Sequence, residues 1–545
     1  MAQSRVFELA LARPAYGGRV EPNPPIEFSQ VCVPLHWFEL RSCRERERLP
    51  GMLGSGAPVQ TIRSPRERLP YGLKIEGVAL ECTALDRLLS QTRMIKLLDK
   101  AIVSGLLVAV IFTTLALGTV EAWSVAIFEL MVVILMLLWA TKAIVERRLE
   151  IRFPSAALAL GAFVLLGLAQ SIAITRSAGQ TSSLSMDVEA TRGAAGVIFF
   201  LWVSFLIAVN FFHTPERLRT LANFLIIFGL ALAVFALIQH FTWEGKMYWV
   251  RPAASAGAGT GGPFVNRNHF AGYMEMLIPI PVALAMSRAT RSESRLFFGF
   301  AAAIMSIAQV ASLSRGGMVS LAAGLLFLAA MVAQRRREDP SFRRGYWFSF
   351  RPEYLVVLML VAIVAGVVWI GADFDILKRI AHDPLTTSAA ADRRGVWGDT
   401  LTMFLAHPVL GVGLGAFETV YPIYGRGDGS FLIQFAHNDY LQVLSDGGVV
   451  GGAIALWFIA VLARAIGQVT KAGDPFVRAL GLGSAAGIFA LLVHSLFDFN
   501  LQLPSNALLF LVLSAILLRA GAEVRPNEAG AGNRSRIAKA AFAAS

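Results

Sequence analysis

The 545-residue chain is 55% hydrophobic and only 16% charged, with a mean hydropathy of +0.59. This balance excludes an ordinary water-soluble globule and implies a protein that crosses a membrane many times. The formal net charge is +12, but Lys and Arg gather in alternate loops between apolar runs, which is the signature of membrane topology and not of a nucleic-acid partner.

Residues 1–93 are rich in proline and arginine (Arg41 to Arg48, Arg63 to Arg68) and show neither a hydrophobic period nor the apolar core of a signal peptide. Their composition reads as disordered. An alternative is that translation starts at Met94, where Ile95-Lys96-Leu97-Leu98-Asp99-Lys100 leads into the first span. The three cysteines, Cys32, Cys43 and Cys82, all fall in this segment, so no disulfide or thiolate metal site is expected in the later loops. Apolar runs long enough to cross a hydrocarbon core of roughly 30 Å follow at Ala101–Thr119, Trp123–Ala143, Ala156–Ile174, Gly193–Phe212, Leu221–Phe241 and Phe270–Met286. Further runs lie at Leu296–Leu313, Gly317–Ala333, Tyr354–Gly371, Val449–Ile466, Leu480–Leu496 and Leu503–Leu518. The expected fold is an all-α polytopic membrane protein with about twelve transmembrane helices over residues 94–519. One large loop of short helices, 372–446, interrupts the spans, and a tail follows at 520–545. No repeat at a solenoid period is visible.

The basic loops are Arg93/Lys96/Lys100, Lys142/Arg147/Arg148/Arg152, Arg217/Arg219, Arg288/Arg291/Arg295, Arg335–Arg337 with Arg343/Arg344, Arg464/Lys471/Arg478 and the tail Arg519–Lys539. The positive-inside rule puts these, and both termini, in the cytoplasm. The loops at 175–192, 242–268, 314–315, 372–446 and 497–504 then face the other side. ATP and nucleotide sugars are absent there, so a transfer reaction in those loops requires a pre-activated donor such as a polyprenyl-diphosphate-linked glycan. The exterior arginines, among them Arg267, Arg315, Arg393, Arg394 and Arg426, run against the topology rule. Anion binding is the natural reason for them.

Four places in these loops carry residues able to do chemistry. Asn266-Arg267-Asn268 precedes Phe270 at the start of a span, where helix N–H groups and the macrodipole favour an anion; a capped helix with a snorkelling Arg267 is the simpler alternative. Ser314-Arg315-Gly316-Gly317 is a tight connection between two apolar runs, and a charge at that depth is costly and usually functional; an interfacial anchor is the simpler alternative for Arg315. Asp392-Arg393-Arg394 opens a helical pattern that His407-Pro408 stops; there Arg393 has the alternative of pairing with Asp392 or Asp399. The turn Gly411-Val412-Gly413-Leu414-Gly415 is a weak phosphate-loop signal at best. Finally, His437 stands just before a short helix, Asn438 to Leu444, stopped by Gly447-Gly448. By itself it reads either as a general base or as a structural histidine.

Taken together, Ser314-Arg315-Gly316-Gly317, Arg393 four residues before Trp397, His407-Pro408-Val409-Leu410-Gly411-Val412-Gly413 and His437-Asn438-Asp439-Tyr440-Leu441 resemble, in order and setting, the O-antigen ligase family of integral-membrane glycosyltransferases. Asn266-Arg267-Asn268-His269-Phe270 is similar to many of its members. The resemblance covers roughly 155–518. It implies a helical bundle of the lipid-linked-sugar transferase type, with the large exterior loop folded over a groove open to the bilayer of a bacterial inner membrane and the active site facing the periplasm.

Matched residue by residue, Arg315 and Arg393 are similar to the arginines that hold the donor diphosphate, with Arg394 competing for the second place, and His437 is similar to the proposed general base. Arg267 and Asn268 are further substrate-binding candidates. The implied enzyme is a metal-independent inverting glycosyltransferase without cofactor. It moves a glycan from a polyprenyl-diphosphate donor to a glycan or lipid A–core acceptor during surface polysaccharide or lipopolysaccharide synthesis. A repeat-unit polymerase shares this chemistry and differs only in acceptor. A flippase or transporter is the remaining alternative; it would show charged residues within spans and paired broken helices, and Glu129 and Glu275 are the main intramembrane acids.

Overall fold

The computed structural model describes residues 76–175, 181–252, 261–287, 289–338, 388–426 and 432–522. In chain order the elements are α1 (Glu76–Leu115), α2 (Ala122–Glu146), α3 (Ser155–Gln170), the hairpin β1 (Ala173–Thr175)/β2 (Thr181–Ser183), α4 (Val188–Phe211), α5 (Pro215–Phe241) and the hairpin β3 (Lys246–Met247)/β4 (Arg251–Pro252). There follow α6 (Arg267–Leu277), α7 (Pro279–Ala285), α8 (Ser292–Ala311), α9 (Arg315–Glu338), α10 (Ser388–Ala406), α11 (Phe417–Tyr424), α12 (Asp439–Val469), α13 (Pro475–His494), a 3-10 turn (Asn500–Gln502) and α14 (Pro504–Ala522). The protein is an all-α polytopic membrane protein, its only strands among the described residues being these two short hairpins at helix ends.

Among the described residues eight helices are long and apolar enough to cross a membrane: α2, α4, α5, α8, α9, α12, α13 and α14. Each lies on one of the expected runs. Three other runs differ in form. Ala101–Thr119 is the second half of α1, which reaches back to Glu76 because residues 80–98 are dominated by good helix formers. Ala156–Ile174 yields the 16-residue α3. Phe270–Met286 is broken at Ile278, where Pro279 and Pro281 remove backbone donors and divide it into α6 and α7. Tyr354–Gly371, residues 1–75 and the first part of the large loop, 372–387, lie outside the described residues.

Caps place several helix starts. Asp187 accepts from Ala190 N ahead of α4, Thr214 precedes Pro215 at the start of α5, and Asp474 precedes Pro475 at the start of α13. The helices at the centre are α13 and α14, whose most apolar windows are 78% and 83% buried against 22% for α2. Leu130 and Leu137 on α2 are correspondingly exposed, as a lipid-facing helix requires. Close packing at the centre depends on small residues: Gly483 and Gly487 of α13 lie against the backbone of Ile280 and Met276, where a Cβ would come within 2.7 Å and 2.2 Å.

The described part of the large loop has a small core of its own, built from Val396, Met403, Val412, Ala416, Phe417, Val420, Tyr421 and Ala436. It is tied down where α12 breaks. Gly448 has φ 61 and ψ −160 and divides α12 at the point where the sequence places a helix stop, after which the chain continues directly into the span. Gly411 (φ +68) packs there so closely that a Cβ would lie 2.4 Å from the Asp446 carbonyl carbon. The amides of Val412 and Gly413 donate to the carbonyls of Ser445 and Asp446 at 2.9 and 3.1 Å, and that of Gly415 donates to the Asp446 carboxylate at 3.2 Å. The glycine-rich turn therefore spends these donors on α12, not on a phosphate. Gln170 closes the bracket, donating to the carbonyls of Leu410 and Asp446 and accepting from Leu414 N.

Candidate active site

His437 sits at the junction between the large loop and α12. Asn438 caps the helix, its Oδ1 accepting from Tyr440 N and Leu441 N at 3.0 and 3.1 Å. The segment is zipped to the turn that follows α13. Asn438 Nδ2 donates to Leu496 O, Tyr440 OH donates to Leu492 O, and Asp439 N donates to Ser495 O. The buried Asp439 carboxylate accepts from Ser495 Oγ at 2.8 Å and Leu501 N at 3.2 Å. His437 itself adopts φ 52, a left-handed conformation that costs a non-glycine residue of order 1–3 kcal/mol and is commonest at functional sites. Its ring is about one-third exposed.

This zipper brings His437 onto Asp498, a residue that the sequence reading passes over. His437 Nδ1 lies 3.3 Å from Asp498 Oδ1. The carboxylate is 1% exposed, yet it is crowded with partners. Asn268 Nδ2 donates to Oδ2 at 2.6 Å, Phe499 N donates to Oδ1 at 3.0 Å, and Arg393 Nη2 lies 3.9 Å from Oδ2. His269 Nε2, buried without a hydrogen-bond partner, is 3.9 Å from Oδ1. The Phe499 ring lies against His269, His437 and Phe435 with centroids 4.7, 4.8 and 4.5 Å away. Burial pushes the Asp498 carboxyl up, but the His437 hydrogen bond and the charges of the surrounding histidines outweigh it and hold the group well below the usual carboxylate range. A depressed folded pKa stabilises the fold above the unfolded value of about 4 and loses that contribution only in more acidic solution. At neutral pH Asp498 is an anion.

The candidates divide around this carboxylate. Arg393 reaches it, with its side chain 36% exposed. Arg394, next along α10, is exposed. Asp399, the alternative partner of Arg393, is instead taken by Arg426 Nε at 2.7 Å and by Tyr421 OH at 3.1 Å. Asn268 is a direct partner of Asp498, and the N–H that it offers at the start of α6 is already accepted by the capping Asn266 Oδ1 at 2.9 Å. Arg267 is half-buried at the first position of the same helix.

Arg315 is exposed at the first position of α9, behind the Ser314 hydroxyl that accepts from Gly317 N at 3.2 Å. Leu313 turns the chain into that helix with φ 56. The start of α9 is wedged into the site: a Cβ on Gly316 would lie 2.9 Å from His494 Nε2 and one on Gly317 2.5 Å from Ala271 Cβ. The starts of α6, α9 and α12, the Arg393 face of α10 and the Asp498 turn thus meet at one end of the bundle. The cluster of Lys142 and Arg217 on Asp99 belongs to loops assigned to the opposite side.

Chemically the arrangement is a carboxylate–imidazole dyad with Arg393 beside it. An ionised carboxylate can only accept, so the contact with Asp498 calls for Nδ1 as the donor and turns Nε2 away from the carboxylate. Because Asn438 supplies the cap at this junction, Asn438→Ala is expected to cost about 1 kcal/mol. It should lower the melting temperature of the purified protein while leaving partial activity, and a thermal melt in detergent checks this.

Residues 300–456 match the family model described as O-antigen ligase. The matched segment contains Arg315, Arg393 and His437, whereas Asn268 and Asp498 lie outside it. No curated protein matches the chain.

Proposed function

We propose, with the O-antigen ligase domain of residues 300–456 as the premise, that this integral-membrane enzyme of the ligase/polymerase type transfers a glycan from a polyprenyl-diphosphate donor to an acceptor hydroxyl. The reaction takes place on the periplasmic face of the inner membrane. What carries the reading is the contact of His437 Nδ1 with the buried Asp498 carboxylate, 3.3 Å away, next to arginines that composition and topology leave unexplained. Asp498 is a positioning residue. His437 is the general base, its Nε2 taking the proton from the acceptor hydroxyl as the oxygen attacks the anomeric carbon.

The bond from that carbon to the diphosphate oxygen breaks in the same displacement, so the configuration inverts and the polyprenyl diphosphate leaves with the electron pair. Arg315 and Arg393 stabilise the growing negative charge through planar, bidentate contacts, a role that requires no divalent ion. Arg393 is favoured over Arg394 because it faces the dyad. Its 3.9 Å contact with Asp498 is loose enough to give way to a phosphate.

The test is transfer by the purified protein from a synthetic polyprenyl-diphosphate-linked glycan in the presence of EDTA. Stoichiometric release of polyprenyl diphosphate with product of inverted configuration is expected; no release, or release only with added divalent ion, overturns the reading. Supplying lipid A–core and a second lipid-linked unit as alternative acceptors separates ligase from polymerase. Orientation has its own check. In a cysteine-free background, Gln434→Cys should react with a membrane-impermeant maleimide in cells whose outer membrane is permeabilised, and Lys471→Cys should not. Equal labelling would remove the topological argument for a lipid-borne donor.

A further inference from the structure

Behind the dyad lies a second carboxylate–imidazole pair that the proposed reaction does not use. Glu275 of α6 and His494, the last residue of α13, have side chains 0% and 1% exposed. His494 Nδ1 stands 3.0 Å from Oε1 and 3.1 Å from Oε2 of Glu275. A buried charged or polar pair of this kind is not explained by stability, since apolar residues of similar volume are often as stabilising or more so.

Its connections suggest another reason. The backbone carbonyl of His494 accepts from Phe497 N at 2.8 Å and Asp498 N at 3.1 Å, so this residue anchors the turn that presents Asp498. The opposite edge of its ring, at Nε2, abuts Gly316, immediately after Arg315. Glu275 belongs to the helix whose first turn carries Asn268. One residue, His494, therefore joins the three elements on which Asn268, Arg315 and Asp498 are mounted, two through its ring and the third through its backbone carbonyl.

We propose that the Glu275–His494 pair is a positioning unit that fixes the spacing between the diphosphate-binding Arg315 and the Asp498–His437 dyad. This inference rests on the reaction proposed above. It requires no proton transfer through the pair. With the pair intact, the His494 ring is held between Glu275 at Nδ1 and the start of α9 at Nε2 while its backbone carbonyl carries the Asp498 turn, so leaving-group stabilisation and proton abstraction act on the same glycosidic carbon. With it gone, each group keeps its own contacts, but the two no longer meet in register. Misplacement by about 1 Å can cost on the order of 10²-fold in rate. Ground-state binding of the diphosphate is less sensitive to register.

The experiment compares the double variant Glu275→Leu/His494→Leu with the parent, measuring kcat, donor affinity and melting temperature on the same detergent preparations. Removing both partners leaves no unpaired buried charge, so the melting temperature should hold. The expected result is a fall in kcat of roughly 10–10²-fold with a much smaller change in donor affinity. A folded double variant with kcat close to the parental value overturns the inference.

A second set does not depend on that variant folding. Gly316→Ala forces its new methyl group onto His494 Nε2 and should lower kcat. His494→Asn keeps an N–H donor toward Glu275 but places no atom at the Nε2 position, so Gly316→Ala/His494→Asn should be more active than Gly316→Ala alone. Absence of that rescue overturns the inference as well. A parent that fails to use the lipid-linked donor defeats the proposed reaction. Normal parental transfer together with an unimpaired double variant defeats only the role of the pair.

Discussion

His437→Ala should reduce glycan transfer by roughly 10²–10⁴-fold, the usual contribution of a positioned general base, while the purified variant still binds a polyprenyl diphosphate. In the proposed mechanism donor binding and turnover separate, because there the diphosphate is assigned to guanidinium groups and the acceptor to the imidazole. Asp498→Asn should behave as a weaker copy of the same lesion. It keeps the shape of the carboxylate but removes its charge, so the ring loses its fixed tautomer while Asn268 and Arg393 remain in place. Both effects are read by in vitro transfer and a binding assay on matched preparations. Near-parental turnover by His437→Ala would return the histidine to a structural role and require a different base.

Arg393→Lys is the second large expected effect. Lysine retains the positive charge but loses the planar fork, and removing a preorganised donor to a developing anion costs on the order of 10²-fold. Protein level in the membrane should be unchanged, because Arg393 is partly exposed and only loosely engaged with Asp498. Arg394→Lys, on an exposed side chain, should stay within about twofold of the parent, as surface substitutions usually do. The same exchange at Arg315 should resemble that at Arg393. Equal sensitivity of Arg393 and Arg394 would mean that the diphosphate lies across both arginines, away from Asp498.

Much of this protein is written in local features. Period, length and charge placement identify a polytopic helical membrane protein, because a span must satisfy its backbone internally and can announce itself only by a long apolar run. The stop at His407-Pro408, the cap at Asn438 and the break at Gly447-Gly448 are likewise local, since proline geometry, a side-chain oxygen and a positive φ act within a few residues. The candidates for the proposed chemistry are also read from local features. Arg315, Arg393 and His437 are polar groups placed where hydrophobicity and topology give them no other reason to be.

What only the tertiary structure decided is which groups meet. Asp498 lies 61 residues beyond His437, in a short turn between two spans, and nothing near it in sequence marks it as a partner. The choice of Arg393 over Arg394 depends on which face of α10 looks toward that carboxylate. Neighbouring positions on a helix point about 100° apart, so composition cannot separate them. Asn268 became a partner of Asp498, and Glu275 a partner of His494, only because small residues let α6 approach α9 and α13 closely. Packing at that range is a property of several helices at once, whereas a cap, a proline stop or an apolar span belongs to its own stretch of chain.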